Sequence, residues 1–134
     1  MAGQAGARVL VVTRVAEALV LVEDSAGGEP PLTVPGQLVA ATPSAIAVGC
    51  AASATTELTV GDLGAAEGKA SAPVFDGQLA TPSRRLAVRT ILGATLLEVT
   101  VPTIDTRVRI WANTATEPTA LRIGVARAAA GIAR

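Results

Sequence analysis

The sequence contains no histidine and no tyrosine, and only one tryptophan (Trp111), one phenylalanine (Phe75) and one cysteine (Cys50) among 134 residues. Without histidine the chain lacks the commonest general base, proton shuttle and zinc ligand, and a Ser–His–Asp or Cys–His arrangement is excluded. A single cysteine closes no intramolecular disulfide, so nothing points to an oxidising compartment. Cys50 reads as a small buried hydrophobe at a strand end. No apolar run approaches the roughly 18–20 residues of a membrane-spanning helix. Residues 1–7 lack the basic and apolar regions of a signal peptide, so the cytoplasm is the expected location.

Other signatures of chemistry are missing too. There is no Gly-x-Gly-x-x-Gly after a strand, no phosphate-binding loop and no pair of cysteines at metal spacing. Two acids alone can hydrolyse a glycoside, but Glu23-Asp24 is the single adjacent acidic pair, and it opens a Gly/Pro-rich loop. Glu23, Asp24 and Glu29 make a thin calcium candidate, since that ion needs several converging oxygens. The expectation is a domain without catalytic residues, metal or cofactor.

What the chain does have is aliphatic. Half of it is apolar, supplied almost wholly by Val, Leu, Ile and Ala. Branched Val and Ile suit a pleated, half-buried surface. Val9-Leu10-Val11-Val12 and Ala18-Leu19-Val20-Leu21-Val22 are continuous apolar runs of strand length, as expected of strands covered on both faces. Strands are also predicted at 37–40, 45–49, 56–60, 85–89, 96–101, 107–111 and 120–125, separated by turns such as Thr42-Pro43-Ser44 and Thr81-Pro82-Ser83, the latter led into by Asp76-Gly77-Gln78-Leu79. The pattern predicts an all-β fold: a two-sheet β-sandwich of about nine short, mostly antiparallel strands in one domain over 1–134. Residues 63–73, rich in Gly and Ala, read as a flexible linker loop, and 1–7 and 126–134 as loose termini.

An internal echo is visible. Gln37-Leu38, Thr42-Pro43-Ser44 and Ala47-Val48 return roughly forty residues later as Gln78-Leu79, Thr81-Pro82-Ser83 and Ala87-Val88. Either two related strand–turn–strand units form matching parts of the two sheets, or the likeness is chance among simple strands.

Net charge is zero, but its distribution is uneven. Residues 1–68 carry two cations against seven anions, and 69–134 carry nine against four, giving −5 and +5. The halves either present acidic and basic regions that steer a charged partner, or interleave and cancel. Most of the later cations fall at alternate strand positions. Leu86 and Val88 share one face of their strand, leaving Arg85 and Arg89 on the other. By the same rule Val108 and Ile110 face inward while Arg107, Arg109 and Trp111 face outward. Arg122 opposes Leu121 and Ile123. If these strands are neighbours, the five arginines form a basic stripe beside one exposed aromatic. Arg and Trp are enriched at interface hot spots. A plain solvated sheet face, with the arginines paired to Glu98 or Asp105, is the alternative, and Trp111 could instead turn inward as the one large core plug. One aromatic on a neutral domain favours a protein partner over nucleic acid.

The order of segments resembles a known family. The run Gly36-Gln37-Leu38-Val39-Ala40-Ala41-Thr42-Pro43-Ser44-Ala45-Ile46-Ala47-Val48-Gly49 is similar to the middle of the competence protein J family of nuclease inhibitors. Gly77-Gln78-Leu79, then Leu96-Leu97-Glu98-Val99-Thr100-Val101-Pro102, then Arg107-Val108-Arg109-Ile110-Trp111 resemble its closing pattern. The turn Pro102-Thr103-Ile104-Asp105 departs from that pattern, lacking the family's Pro-x-Gly and following aromatic. The resemblance implies a β-sandwich that binds and blocks a partner protein, a nuclease or toxin, in the manner of an immunity protein of the bacterial cytoplasm. Two other functions remain compatible with the residues. One is a structural subunit that self-associates through exposed strand edges. The other is a small-ligand or carbohydrate-binding sandwich, which a single tryptophan disfavours.

Overall fold

A computed structural model describes residues 9–33, 36–52, 54–63 and 72–126. Ten strands are present among them, one more than the sequence pattern suggested: β1 (Val9–Thr13), β2 (Leu19–Asp24), β3 (Val39–Thr42), β4 (Ala45–Gly49), β5 (Thr56–Asp62), β6 (Phe75–Ala80), β7 (Arg85–Thr90), β8 (Thr95–Thr100), β9 (Asp105–Ala112) and β10 (Ala120–Val125). A single 3₁₀ turn, Ala16–Ala18, joins β1 to β2. No helix among the described residues is long and apolar enough to cross a membrane.

The strands form two five-stranded sheets. Sheet I has the order β1-β5-β10-β9-β6, and sheet II the order β3-β4-β2-β7-β8. Every pairing is antiparallel except β5 with β10, which run parallel because the last strand inserts between β5 and β9. Alternation explains the stacking. Leu58, Val60, Leu79, Val108, Ile110, Leu121, Ile123 and Val125 line the inner face of sheet I, and Val20, Val22, Ile46, Val48, Leu86, Val88, Leu97 and Val99 that of sheet II. All sixteen are buried in one aliphatic core. Phe75, the lone phenylalanine, is half-buried at its margin, with its ring 3.0 Å from where a Cβ on Gly77 would stand. A larger residue at 77 would displace that ring.

The two early apolar runs have different fates. β2 is central in sheet II, and its residues 20–24 are all buried, as a strand covered on both faces should be. β1 is an edge strand with Val12 59% exposed, so it is not covered on both faces. Continuous hydrophobicity does not distinguish the two positions.

The outer face of sheet II is closed by short side chains and one ion pair. Ala45, Ala47, Ala87 and Leu21 are buried there beside Glu23. Arg89 lies along this face: its Nη1 donates to Glu23 Oε2 at 2.8 Å and to the Asp24 carbonyl at 3.3 Å, its Nη2 to the Ser25 carbonyl at 2.6 Å, and its Nε to Thr95 Oγ1 at 3.2 Å. Asp24, one residue on and therefore pointing the other way, accepts from Ser83 N (3.0 Å), Ser83 Oγ (2.9 Å) and Ala26 N (2.9 Å). Its carboxylate thus holds the 81–83 turn against the end of β2. The loop after β2 is sewn to the β3–β4 turn, with Glu29 N donating to Ser44 Oγ at 2.8 Å and Thr42 Oγ1 to the Glu29 carbonyl at 2.6 Å. Gly28 fits there because a Cβ would fall 2.2 Å from the Ser44 carbonyl oxygen.

Topology bears on two sequence expectations. The Thr-Pro-Ser echo is not a structural repeat: 42–44 closes a hairpin within sheet II, whereas 81–83 carries the chain from β6 in sheet I to β7 in sheet II. Each sheet takes one block of adjacent strands from each half of the chain, so the acidic and basic halves meet at the β5–β10 and β2–β7 seams, and Glu23 pairs with Arg89 across the second. The linker expected at 63–73 falls largely outside the described residues, as do 1–7 and 127–134. Ala126 is pinned, its N–H donating to the Arg107 carbonyl at 3.0 Å.

Two stability measurements follow from this geometry. Arg89→Met strands the buried Glu23 carboxylate and should lower the unfolding free energy by about 3 kcal/mol in urea titration. Adding Glu23→Gln should recover part of the loss, because the uncompensated charge is gone. Arg84 sits at φ 60°, where a side chain is strained, with its N–H bonded to the Thr81 carbonyl. Arg84→Gly should raise stability by up to about 1 kcal/mol, read as a higher midpoint with unchanged slope.

Candidate functional site

The five-arginine stripe expected from alternation does not exist as one surface. β7 belongs to sheet II, while β9 and β10 are neighbours in sheet I, so the arginines divide between opposite faces of the molecule. On the sheet II side, Arg89 is consumed by the bonds described above. Arg85 is exposed but paired, its Nη2 2.7 Å from Glu98 Oε1. Glu98 also accepts from Ser25 Oγ, and these bonds hold its carboxyl below its usual value of 4.5. Glu98 is exposed as its position in β8 predicts.

On sheet I the outer face carries more arginines, and acids as well. β9 buries Thr106, Val108 and Ile110 and turns Asp105, Arg107 and Arg109 outward. β6 lies beside it in antiparallel register, with Asp76 opposite Arg109 and Gln78 opposite Arg107. Arg107 reaches back to grip Asp76 with two parallel bonds, Nε to Oδ1 at 2.9 Å and Nη2 to Oδ2 at 3.0 Å. Arg109 Nε adds a third at 3.1 Å. The Arg107 hydrogen bonds, then that from Arg109, hold the Asp76 carboxyl below its usual value of 3.8, and Asp76 in turn raises the Arg107 guanidinium above its usual value. The cluster is therefore intact at neutral pH and opens only as acidification passes below 3.8 to the depressed value. One carboxylate thereby orders two guanidinium groups.

Arg122 completes the face. It is half-buried on β10, flanked by Trp111 on β9 and Thr59 on β5. Three arginines thus share this face with three acids, Asp76, Asp105 and Glu57. Trp111 differs from both sequence expectations. Its position puts it on the outer face with Arg107 and Arg109, so it is not a core plug, yet it is only 5% exposed and so not an exposed aromatic either. The chain leaving β5 turns over this same face: a Cβ on Gly124, directly opposite Arg109, would meet Leu63 Cα at 3.1 Å. Covering of this kind is invisible to a period-two reading, which assigns sides of a sheet but not what lies upon them.

The remaining candidates are structural. Cys50 is buried, and burial pushes its thiol above the usual value of 9.0, with Thr56 pulling weakly the other way. A thiol held protonated is a poor nucleophile. Glu23 and Asp24 face opposite sides of β2 and cannot converge on an ion. Among the described residues no group of three or more acids or cysteines could hold a metal. Asp76, the organiser of the arginine face, was not singled out by sequence. Its partners lie 31 and 33 residues away, and the pairing of β6 with β9 is what joins them.

No family model matches the chain, and no curated protein sequence matches it. Solved structures do. The chain is similar to ComJ from Bacillus subtilis, an inhibitor of the DNA-degrading activity of NucA, with a TM-score of 0.67 at 9% identity over 91% of this chain and 98% of that one. It is similar also to the crocagin biosynthetic protein J, with a TM-score of 0.51 at 14% identity over 91% of this chain and 96% of that one. At such identities the likeness is one of fold, and the resemblance to competence protein J first read in the strand order holds for the whole two-sheet architecture.

Proposed function

We propose that this domain is a non-catalytic protein-binding module that inhibits a nuclease or toxin by occlusion. The observation that carries the reading is the ordered arginine face of sheet I, Arg107 and Arg109 fixed on Asp76 beside Arg122, on a fold shared with a nuclease inhibitor. Preorganised guanidinium groups cost little entropy to bring into an interface, and they recognise carboxylates bidentately. Such a face suits the acidic side chains with which metal-dependent nucleases hold their cations. Binding there would shield the partner's active site without chemistry on either protein. The reading also places the chain in the same compartment as its target, the bacterial cytoplasm in the simplest case.

Capture from an extract of the native host tests this. Wild-type domain should retain a partner whose nuclease or toxic activity falls as the domain is added to stoichiometry. Arg107→Glu with Arg122→Glu should weaken capture at least tenfold, at unchanged far-ultraviolet circular dichroism, whereas Arg85→Glu on the opposite sheet should not. Trp111 is a poor probe, since truncating a buried indole costs about 3–5 kcal/mol of stability. Equal capture by the charge-reversed pair removes this face, and a captured partner that keeps full activity removes inhibition.

A further inference from the structure

A sandwich of two open sheets has four edge strands, here β1 and β6 in sheet I and β3 and β8 in sheet II. Among the described residues each lacks a strand partner on its outer side, and monomeric proteins blunt such edges with charge, proline, glycine or brevity. Three of the four are blunted. β3 has only four residues and is followed at once by Pro43. β6 carries Asp76 on its exposed face and Gly77 next to it. β8 carries exposed Glu98, bonded to Arg85 and Ser25, and Pro102 lies two residues past its end. β1 has no such device within its span, although Arg8 precedes it and exposed Arg14 directly follows it. Its sequence, Val-Leu-Val-Val-Thr, contains no charge, proline or glycine, a composition that favours strand pairing between chains. Val12, 59% exposed, is the one large apolar side chain exposed from within a strand among the described residues.

We infer that β1 is a self-association edge, pairing antiparallel with β1 of a second copy of this chain. The choice of a second copy rests on three features. An antiparallel pair of identical strands is self-complementary about a two-fold axis, the symmetry of most dimers. Valine-rich strands supply the β-branched cross-strand pairs that stabilise sheets. The chain has zero net charge, so two copies do not repel. Pairing joins the two copies of sheet I into one sheet of ten strands and covers Val12. It uses an edge and leaves the outer face of sheet I open, so a dimer displays two arginine faces. The inference is therefore independent of the inhibitor reading and can fail without it.

Sedimentation velocity of the purified chain, from low micromolar to near-millimolar concentration, tests the pairing directly. Wild type should pass reversibly from monomer to dimer. Over the same range, those amides of residues 9–13 that do not donate to β5 should gain protection from hydrogen exchange. Val12→Lys, a charge at a position already in water, should raise the dimer dissociation constant at least tenfold while circular dichroism stays unchanged. Three results would overturn the inference: a monomer throughout, which leaves the edge to a foreign strand; a dimer whose β1 amides exchange as fast as in the monomer; or a dimer that a folded Val12→Lys variant forms equally well. Should that variant not fold, the wild-type exchange series decides alone.

Discussion

The fold depends on filling the space between two sheets with aliphatic side chains alone. Tyrosine is absent, Trp111 lies outside the core, and Phe75 touches only its margin, so Val, Leu and Ile must meet across the gap without an aromatic wedge. This works because inward positions alternate without a break along β5, β9 and β10 on one side and β2, β4 and β7 on the other. A one-residue slip in any of them would put its aliphatics in water and its polar residues inside. The hydrophobic pattern therefore sets register as well as burial.

Polar groups then fix what non-directional burial leaves free. Three joints of the sandwich are tied by side chains from distant parts of the chain. Asp24 holds the 81–83 turn, Arg89 spans β2 and the start of its following loop, and Thr81 bonds both the Thr103 carbonyl and Thr106 Oγ1. The Arg89 guanidinium uses its nitrogens on one carboxylate, two carbonyls and a hydroxyl, so its charge is compensated although it is largely out of water. Such a pair contributes less to net stability than to specifying one arrangement, and its damage on removal comes from the partner left behind.

The two sheets put superficially similar arginines to different uses. On sheet II they are partnered by acids from neighbouring strands and close a face with small residues beneath it. On sheet I a single aspartate on an edge strand orders two guanidinium groups, and Arg122 stands beside them. The same residue type, at the same alternating positions, is paired one to one with acids on sheet II and gathered two to one on Asp76 on sheet I.

The amino-acid sequence by itself determined the fold class, nearly every strand and the inward or outward sense of each arginine, because period-two alternation is a local property that survives any topology. It determined the lack of histidine-based chemistry for the same reason, since composition needs no coordinates. Only the tertiary structure decided that Arg85 and Arg89 part company with Arg107, Arg109 and Arg122, that Asp76 organises the second group, and that Trp111 faces outward yet is covered. Those facts depend on which strands lie side by side and what crosses over them. Strand order is set by packing between segments far apart in the chain, and no local pattern encodes it.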